Sequence, residues 1–253
     1  MPHVLTCRQA VYETMRHQVP PAFREYFPLG FDEDDIHAYA SQSGLDPSAF
    51  SAELERAELW LEASVPFVLS TLVEVFRTHK KLERTRAENL SLVVEELLGK
   101  RTRFGVPRQR RALQLLGLAM ELYSRNELTV GEATRVLSEY LMISAEEAAT
   151  LVDELTQTIL LRTVSEIRFQ VRSFGEYFAA RQLENAQLSQ ILAYAQFRGS
   201  LVLNPTWANT ISYLVEMNPR ARGYFVRRHP VWSCRHQHLR YRRCSATKRR
   251  ARL

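Results

Sequence analysis

Few residues in this chain of 253 are spaced for chemistry, and most enzyme signatures are absent. There is no G-x-x-x-x-G-K-[ST] phosphate loop, because Gly99-Lys100 lacks the earlier glycine and a preceding strand. No G-x-S-x-G elbow, H-E-x-x-H pair or C-x-x-C pair occurs. The acidic run at 32–35 could in principle hold a metal, but calcium loops need spaced oxygens and a turn glycine. It reads instead as a helix start. Cys234, His236, His238 and Cys244 do not follow a common zinc spacing, so no metal site is expected. Lys100, Arg101, Arg103, Arg108, Arg110 and Arg111 cluster with the right sign for a phosphate backbone. No residue is proposed as catalytic.

The elements that would position such residues are helices. Hydrophobic residues make up 45% and charged residues 25%, which is globular composition and excludes a disordered or collagenous chain. With 9 glycines and 10 prolines, the chain is too poor in turn formers for a sandwich or barrel. Three cysteines give no disulfide framework and fit a reducing, cytoplasmic setting. No signal peptide or transmembrane run is visible, so no membrane association is expected.

The pI of 9.4 invites a nucleic-acid reading. Residues 1–219, however, hold 22 Lys+Arg against 28 Asp+Glu, while residues 220–253 hold 12 Lys+Arg and no acid. The body is mildly acidic, and the positive balance belongs to the end of the chain.

Residues 3–6 could form a short strand. Helices are expected from the acids at 32–35 to about 41, for about ten residues from Asp46-Pro47, and from Pro66 with Leu69, Leu72, Val73 and Phe76 on one face. Thr85 to Glu88 is a capping box ahead of Leu90, Val93, Val94, Leu97 and Leu98. A basic linker at 99–111 precedes a helix at 110–123 with Leu113, Leu116, Met120 and Tyr123 inward. Capping boxes at Thr129 and Ser144 start helices 129–140 and 144–162. Residues 167–171 alternate as a strand does, and Ser173 to Glu176 is a fourth capping box. Residues 106–186 therefore make a winged-helix-like unit. Its second-last helix carries Glu146, Glu147, Asp153 and Glu154, which would repel nucleic acid. Further helices follow, with Trp207, Ile211 and Leu214 on one face.

The stretch Ser173, Phe174, Glu176, Tyr177, Phe178, Ala179 and Ala180 resembles the motif that closes the winged-helix region of NACHT-type STAND NTPases. These are signal-transducing ATPases with a nucleotide-binding domain, a helical arm and C-terminal repeats. Three other segments agree in order. Residues 4–8 resemble the last strand of the nucleotide domain, which places Arg8 at a sensor arginine. Residues 27–36 are similar to the linker that follows. Residues 64–69 resemble the start of an arm helix, where the family packs a proline, here Pro66, against adenine. The resemblance covers about residues 3–230. It departs at Val171, where the family has a histidine that touches the β-phosphate and valine can donate no hydrogen bond.

The resemblance implies a mostly α fold divided into five parts. These are a nucleotide-domain remnant at 1–30, a helical arm at 31–105, the winged-helix-like unit at 106–186, the start of a helical repeat region at 187–232, and an unstructured basic tail at 233–253. It implies the regulatory, switch portion of a signalling or defence ATPase, with ATP/ADP and magnesium in the intact parent and protein partners or self-association. The P-loop and acidic Walker B strand would lie upstream of Met1. The chain itself is thus expected to be a truncated piece that holds no cofactor and hydrolyses no ATP. The tail has eight Lys+Arg and no Asp, Glu, Ile, Val or Phe over 233–253, which is the pattern expected of an out-of-frame translation beginning near 231–233. Nucleic acid would bind only non-specifically, through this tail. Two alternatives stand beside this reading: a helical protein-interaction module with no nucleotide role, and a winged-helix nucleic-acid binder.

Overall fold

The computed structural model describes residues 30–98, 103–197 and 202–228. Arg8, the strand expected at 3–6 and the tail at 233–253 lie outside these residues. Among the described residues the fold is mostly α, with twelve α-helices and one three-stranded antiparallel sheet.

Helix α1 (Glu33–Gln42) is started by its own acids. The Asp32 side chain accepts from the Asp35 N–H and the Asp35 carboxylate accepts from the Asp32 N–H. The acidic run is spent on a capping box. Asp46 caps α2 (Pro47–Ala57), with Pro47 in the first turn, where its missing N–H costs nothing. A single turn, α3 (Trp60–Ala63), leads to α4 (Pro66–His79). Leu69, Leu72, Val73 and Phe76 of α4 are buried, as their spacing requires. They complete a first core with Ile36, Phe50 and Leu54, in which the Phe50 and Phe76 rings lie 5.5 Å apart.

Helix α5 (Arg86–Leu98) turns its main apolar stripe to a second core. Ala87, Leu90, Val94 and Leu98 belong there, and only Leu92 and Val93 reach back to the first. The division falls between Leu82 and Ala87 and is clipped by Asn89, which is fully buried. Its amide donates to the Glu83 and Thr85 carbonyls and accepts from the Glu83 N–H.

The second core is organised by a winged helix. Its order is α6 (Val106–Leu122), β1 (Glu127–Thr129), α7 (Val130–Leu141), α8 (Ala145–Leu155), β2 (Leu160–Arg162), β3 (Glu166–Phe169) and α9 (Arg172–Leu183). The central strand is β3, with Leu128 opposite Ile167 and Leu161 opposite Arg168. The capping boxes at Thr129 and Ser144 are both formed. Helices α10 (Leu188–Ala195), α11 (Ala208–Met217) and α12 (Pro219–Arg228) follow, and Trp207, Ile211 and Leu214 are buried.

Four local expectations are corrected. The linker at 99–111 is shorter, because Gly105 and Pro107 already start α6 at Val106. Tyr123 is exposed rather than inward, since α6 ends at Leu122 and Ser124 turns the chain at φ 52°. The helix expected over 144–162 ends at Leu155. There the Thr156 and Thr158 hydroxyls take the Asp153 and Leu155 carbonyls, and β2 pairs with β3. The capping box at Ser173 is not formed. The strand runs straight into α9, Val171 occupies the cap position, and Ser173 already lies inside the first turn.

Candidate functional site

Helix α9 lies at the centre of the second core, and its motif residues are mostly consumed by packing. Phe174, Tyr177, Phe178, Ala179 and Ala180 are all buried. Phe178 stacks on Phe169 with centroids 5.9 Å apart, and Tyr177 meets Tyr213 edge-on at 5.9 Å. The small residues let α6 approach closely. A Cβ on Gly117 would stand 2.7 Å from the Gly175 carbonyl oxygen and 3.1 Å from the Ala179 nitrogen. A Cβ on Gly175 would in turn stand 2.8 Å from the Phe169 ring.

Glu176 is 2% exposed yet ionisable. Its carboxylate accepts from Arg172 Nε at 2.7 Å and from Asn209 Nδ2 at 3.1 Å. These bonds satisfy a charge that burial would otherwise penalise, and they tie α9 to α11.

A second polar cluster joins α11 to α5. Glu216 accepts from Arg86 Nε at 2.8 Å and from the Ala87 N–H at 2.9 Å. The Arg86 guanidinium also meets the Ser212 hydroxyl and lies 5.1 Å from the centre of the Tyr213 ring. Burial works against the Arg86 charge, but Glu216 outweighs it and holds the guanidinium above its ordinary value. Burial pushes the Tyr213 phenol up to about 12, against the pull of Arg86. The Tyr177 phenol is also raised by burial.

Pro66 is exposed at the start of α4, and Phe67 beside it lies edge-on to Phe174 of α9 at 5.6 Å. Neither α4 nor α9 has a side-chain cap or an acid in its first turn. The α4 start lies beside exposed Val65 and Leu61. Residues 30 and 31 also arrive here, since the Phe31 N–H donates to the Ser64 carbonyl at 2.8 Å. Val171 is packed against the second core. Of the motif, Ser173 alone remains partly exposed at this meeting point.

Two features escaped the sequence reading. Arg86, Ser212 and Glu216 are ordinary helix-surface types, and nothing local marks them as partners across 130 residues. Asn89 was equally silent, because a polar residue on a helix gives no sign that it will be buried. Three of the four acids expected to form a repulsive face, Glu147, Asp153 and Glu154, are engaged in local bonds. Glu154 accepts from the Arg103 and Phe104 N–H groups and from Gln109, Glu147 closes its capping box, and Asp153 pairs with Arg162. Helix α8 nevertheless carries no Lys or Arg.

Among the described residues, no group of three His, Cys, Asp or Glu could hold a metal, and no helix is long and apolar enough to cross a membrane. No protein-family model matches the chain, and no curated protein matches it in sequence.

Proposed function

We propose that this chain supplies the regulatory, switch portion of a NACHT-type STAND signalling ATPase, with cytoplasmic signalling or defence as its setting. The observation that carries the reading is the contact of Phe67, which follows Pro66, with Phe174 of α9. The resemblance assigns Pro66 to the adenine and the α9 start to the β-phosphate. Phe67 and Phe174 hold these two segments together across the arm and the winged unit. Two uncapped helix starts there suit a negatively charged phosphate chain. ATP/ADP and magnesium would be held chiefly by a separate nucleotide domain carrying the P-loop. Pro66, Ser173 and, by resemblance, Arg8 would form its rim. Nucleotide exchange would then loosen the winged unit from that domain and allow self-association.

Two measurements test the reading. The 253-residue chain alone should show no ATP hydrolysis, and turnover by it would contradict the assignment. The coding DNA ahead of Met1 should encode a glycine-rich phosphate loop followed by an acidic strand. In a polypeptide that includes that region, Pro66→Asp should weaken ADP binding. Undiminished binding would remove the role of this surface.

One observation favours a second reading, a helical interaction module with no nucleotide role. Phe174, Tyr177, Phe178, Ala179 and Ala180 are fully accounted for by packing, so nothing in them requires a nucleotide. Coding DNA lacking any phosphate loop would select this reading.

A further inference from the structure

A cavity of about 290 Å³ opens between the end of α6, the loop after it, β3 and the first turn of α9. Gly117, Met120, Phe169 and Gly175 supply its apolar lining. Three guanidinium groups reach it from three different elements: Arg125 from the loop, Arg168 from the central strand and Arg172 from α9. One carboxylate, Glu121, shares the lining.

The three arginines are held unequally. Arg172 is pinned, with Nε on Glu176 at 2.7 Å and Nη1 on the Asn126 oxygen at 2.7 Å, while Nη2 stands 4.0 Å from Glu121. Arg125 gives Nη1 to Glu132 at 2.9 Å. That carboxylate is also engaged by the Thr129 N–H and hydroxyl, which hold it below the ordinary carboxylate range together with Arg125. Arg168 is exposed and makes no side-chain hydrogen bond or ion pair with any described residue. Glu127, its cross-strand partner, is near in register but not ion-paired to it. The lining carries three arginines and one carboxylate, while Glu132 and Glu176 pair with Arg125 and Arg172 from outside it, so Arg168 is the cation left unbalanced among the described residues, and donors are left over on each guanidinium. The first turn of α9, which contributes Arg172 and Gly175, has no acid and no side-chain cap.

We propose that this cavity is a binding site for a small phosphate-class anion, either inorganic phosphate or a phosphomonoester group. Guanidinium forks arriving from separate elements suit the several oxygens of a tetrahedral dianion better than a lone surface cation does. The site shares the first turn of α9 with the nucleotide reading, but neither Pro66 nor Phe67 lines it, so a phosphate-binding result does not depend on the adenine side of that reading.

The test is calorimetric titration of the full chain with inorganic phosphate, and separately with acetate, at constant ionic strength. Phosphate should bind more tightly than acetate. Arg168→Gln and Arg125→Gln should each weaken phosphate binding by about tenfold, the size expected for a charged hydrogen bond. Arg168 has no described partner to lose, so its variant should melt at the wild-type temperature without phosphate. Arg249→Gln with Arg250→Gln, in the basic C-terminal stretch, should leave the cavity affinity unchanged. Absence of phosphate binding, equal binding of acetate, or wild-type affinity in both cavity variants would each overturn the proposal. The last result would assign the anion to the basic stretch instead. A phosphomonoester probe that fails where inorganic phosphate binds would restrict the site to the free ion.

Discussion

The core of residues 36–82 is made by helices that are neighbours in the chain, whereas the core of residues 87–225 is closed by elements far apart in it. The first core is sealed by aliphatic and ring contacts, with side-chain caps at the starts of α1 and α2 but none at α3 and α4. The second relies on a close approach of two helices through Gly117 and Gly175, and on two polar clusters, Arg172–Glu176–Asn209 around the buried Glu176 and the partly buried Arg86–Glu216. The difference teaches where order comes from in each. Side-chain bonds around the first core span up to 34 positions, from Arg77 to the Ser43 carbonyl, whereas in the second they span up to 130, from Arg86 to Glu216.

Breaking the close approach should have the largest effect. Gly117→Val places carbon into the Gly175 carbonyl and should cost more than about 3 kcal/mol in chemical denaturation. A fully stable variant would mean that α6 and α9 can separate without loss. Next, Leu72→Ala should cost about 3 kcal/mol by opening a cavity in the first core. Its hydrogen-exchange protection should fall over 36–82 and persist in α6 and α9. Equal loss in both regions would show that the two cores unfold as one unit.

Glu216→Ala strands the Arg86 charge and should cost about 2 kcal/mol, discounted for the residual exposure of both side chains. Faster exchange should appear in the first turn of α5, which loses its acceptor, and its absence there would remove Glu216 as that helix's cap. Thr210→Val should be neutral or gain up to about 1 kcal/mol, because the buried Thr210 hydroxyl has no hydrogen-bond partner among the described residues. A clear loss in thermal melting would point to a hydrogen bond at that site.

The smallest effect at neutral pH belongs to Tyr213→Phe, which sharpens the comparison only in alkali. The folded phenol titrates at about 12, above its ordinary 10.0. The stability tied to its neutral form is therefore complete below pH 10.0 and is lost as pH rises toward 12. The variant should resist alkaline unfolding to a higher pH, and an unchanged alkaline midpoint would exclude Tyr213 as the trigger.

Helix starts were legible in the sequence because their signals are chemical and local. Asp32, Asp46, Pro66, Thr129 and Ser144 each begin the helix they announce. The winged order was legible in outline, but β1 and β2 were not. Each has three residues, too few to display an alternating pattern. Ser173 misled because the same side-chain pattern serves a cap in one backbone setting and a buried network in another, and the strand feeding α9 decided between them. At the candidate site, Pro66 and the α9 motif could be singled out by type, but not their union through Phe67. The cavity arginines were invisible for the same reason, since residues 125, 168 and 172 meet only once β3 lies between its neighbours.

Glu216 also has a bearing on the order in which the protein takes shape at the ribosome. It accepts from the Ala87 N–H, so the first turn of α5 is finished by a residue 129 positions later. During synthesis that turn must wait for the rest to emerge, a delay on the order of ten seconds at cellular elongation rates. Over that interval the first core can already be closed, while α5 has its Thr85–Glu88 capping box but not the acceptor for its Ala87 N–H. The nascent chain therefore passes through a stage in which helices α1–α4 are a finished piece and α5 is the loose end that a chaperone would meet.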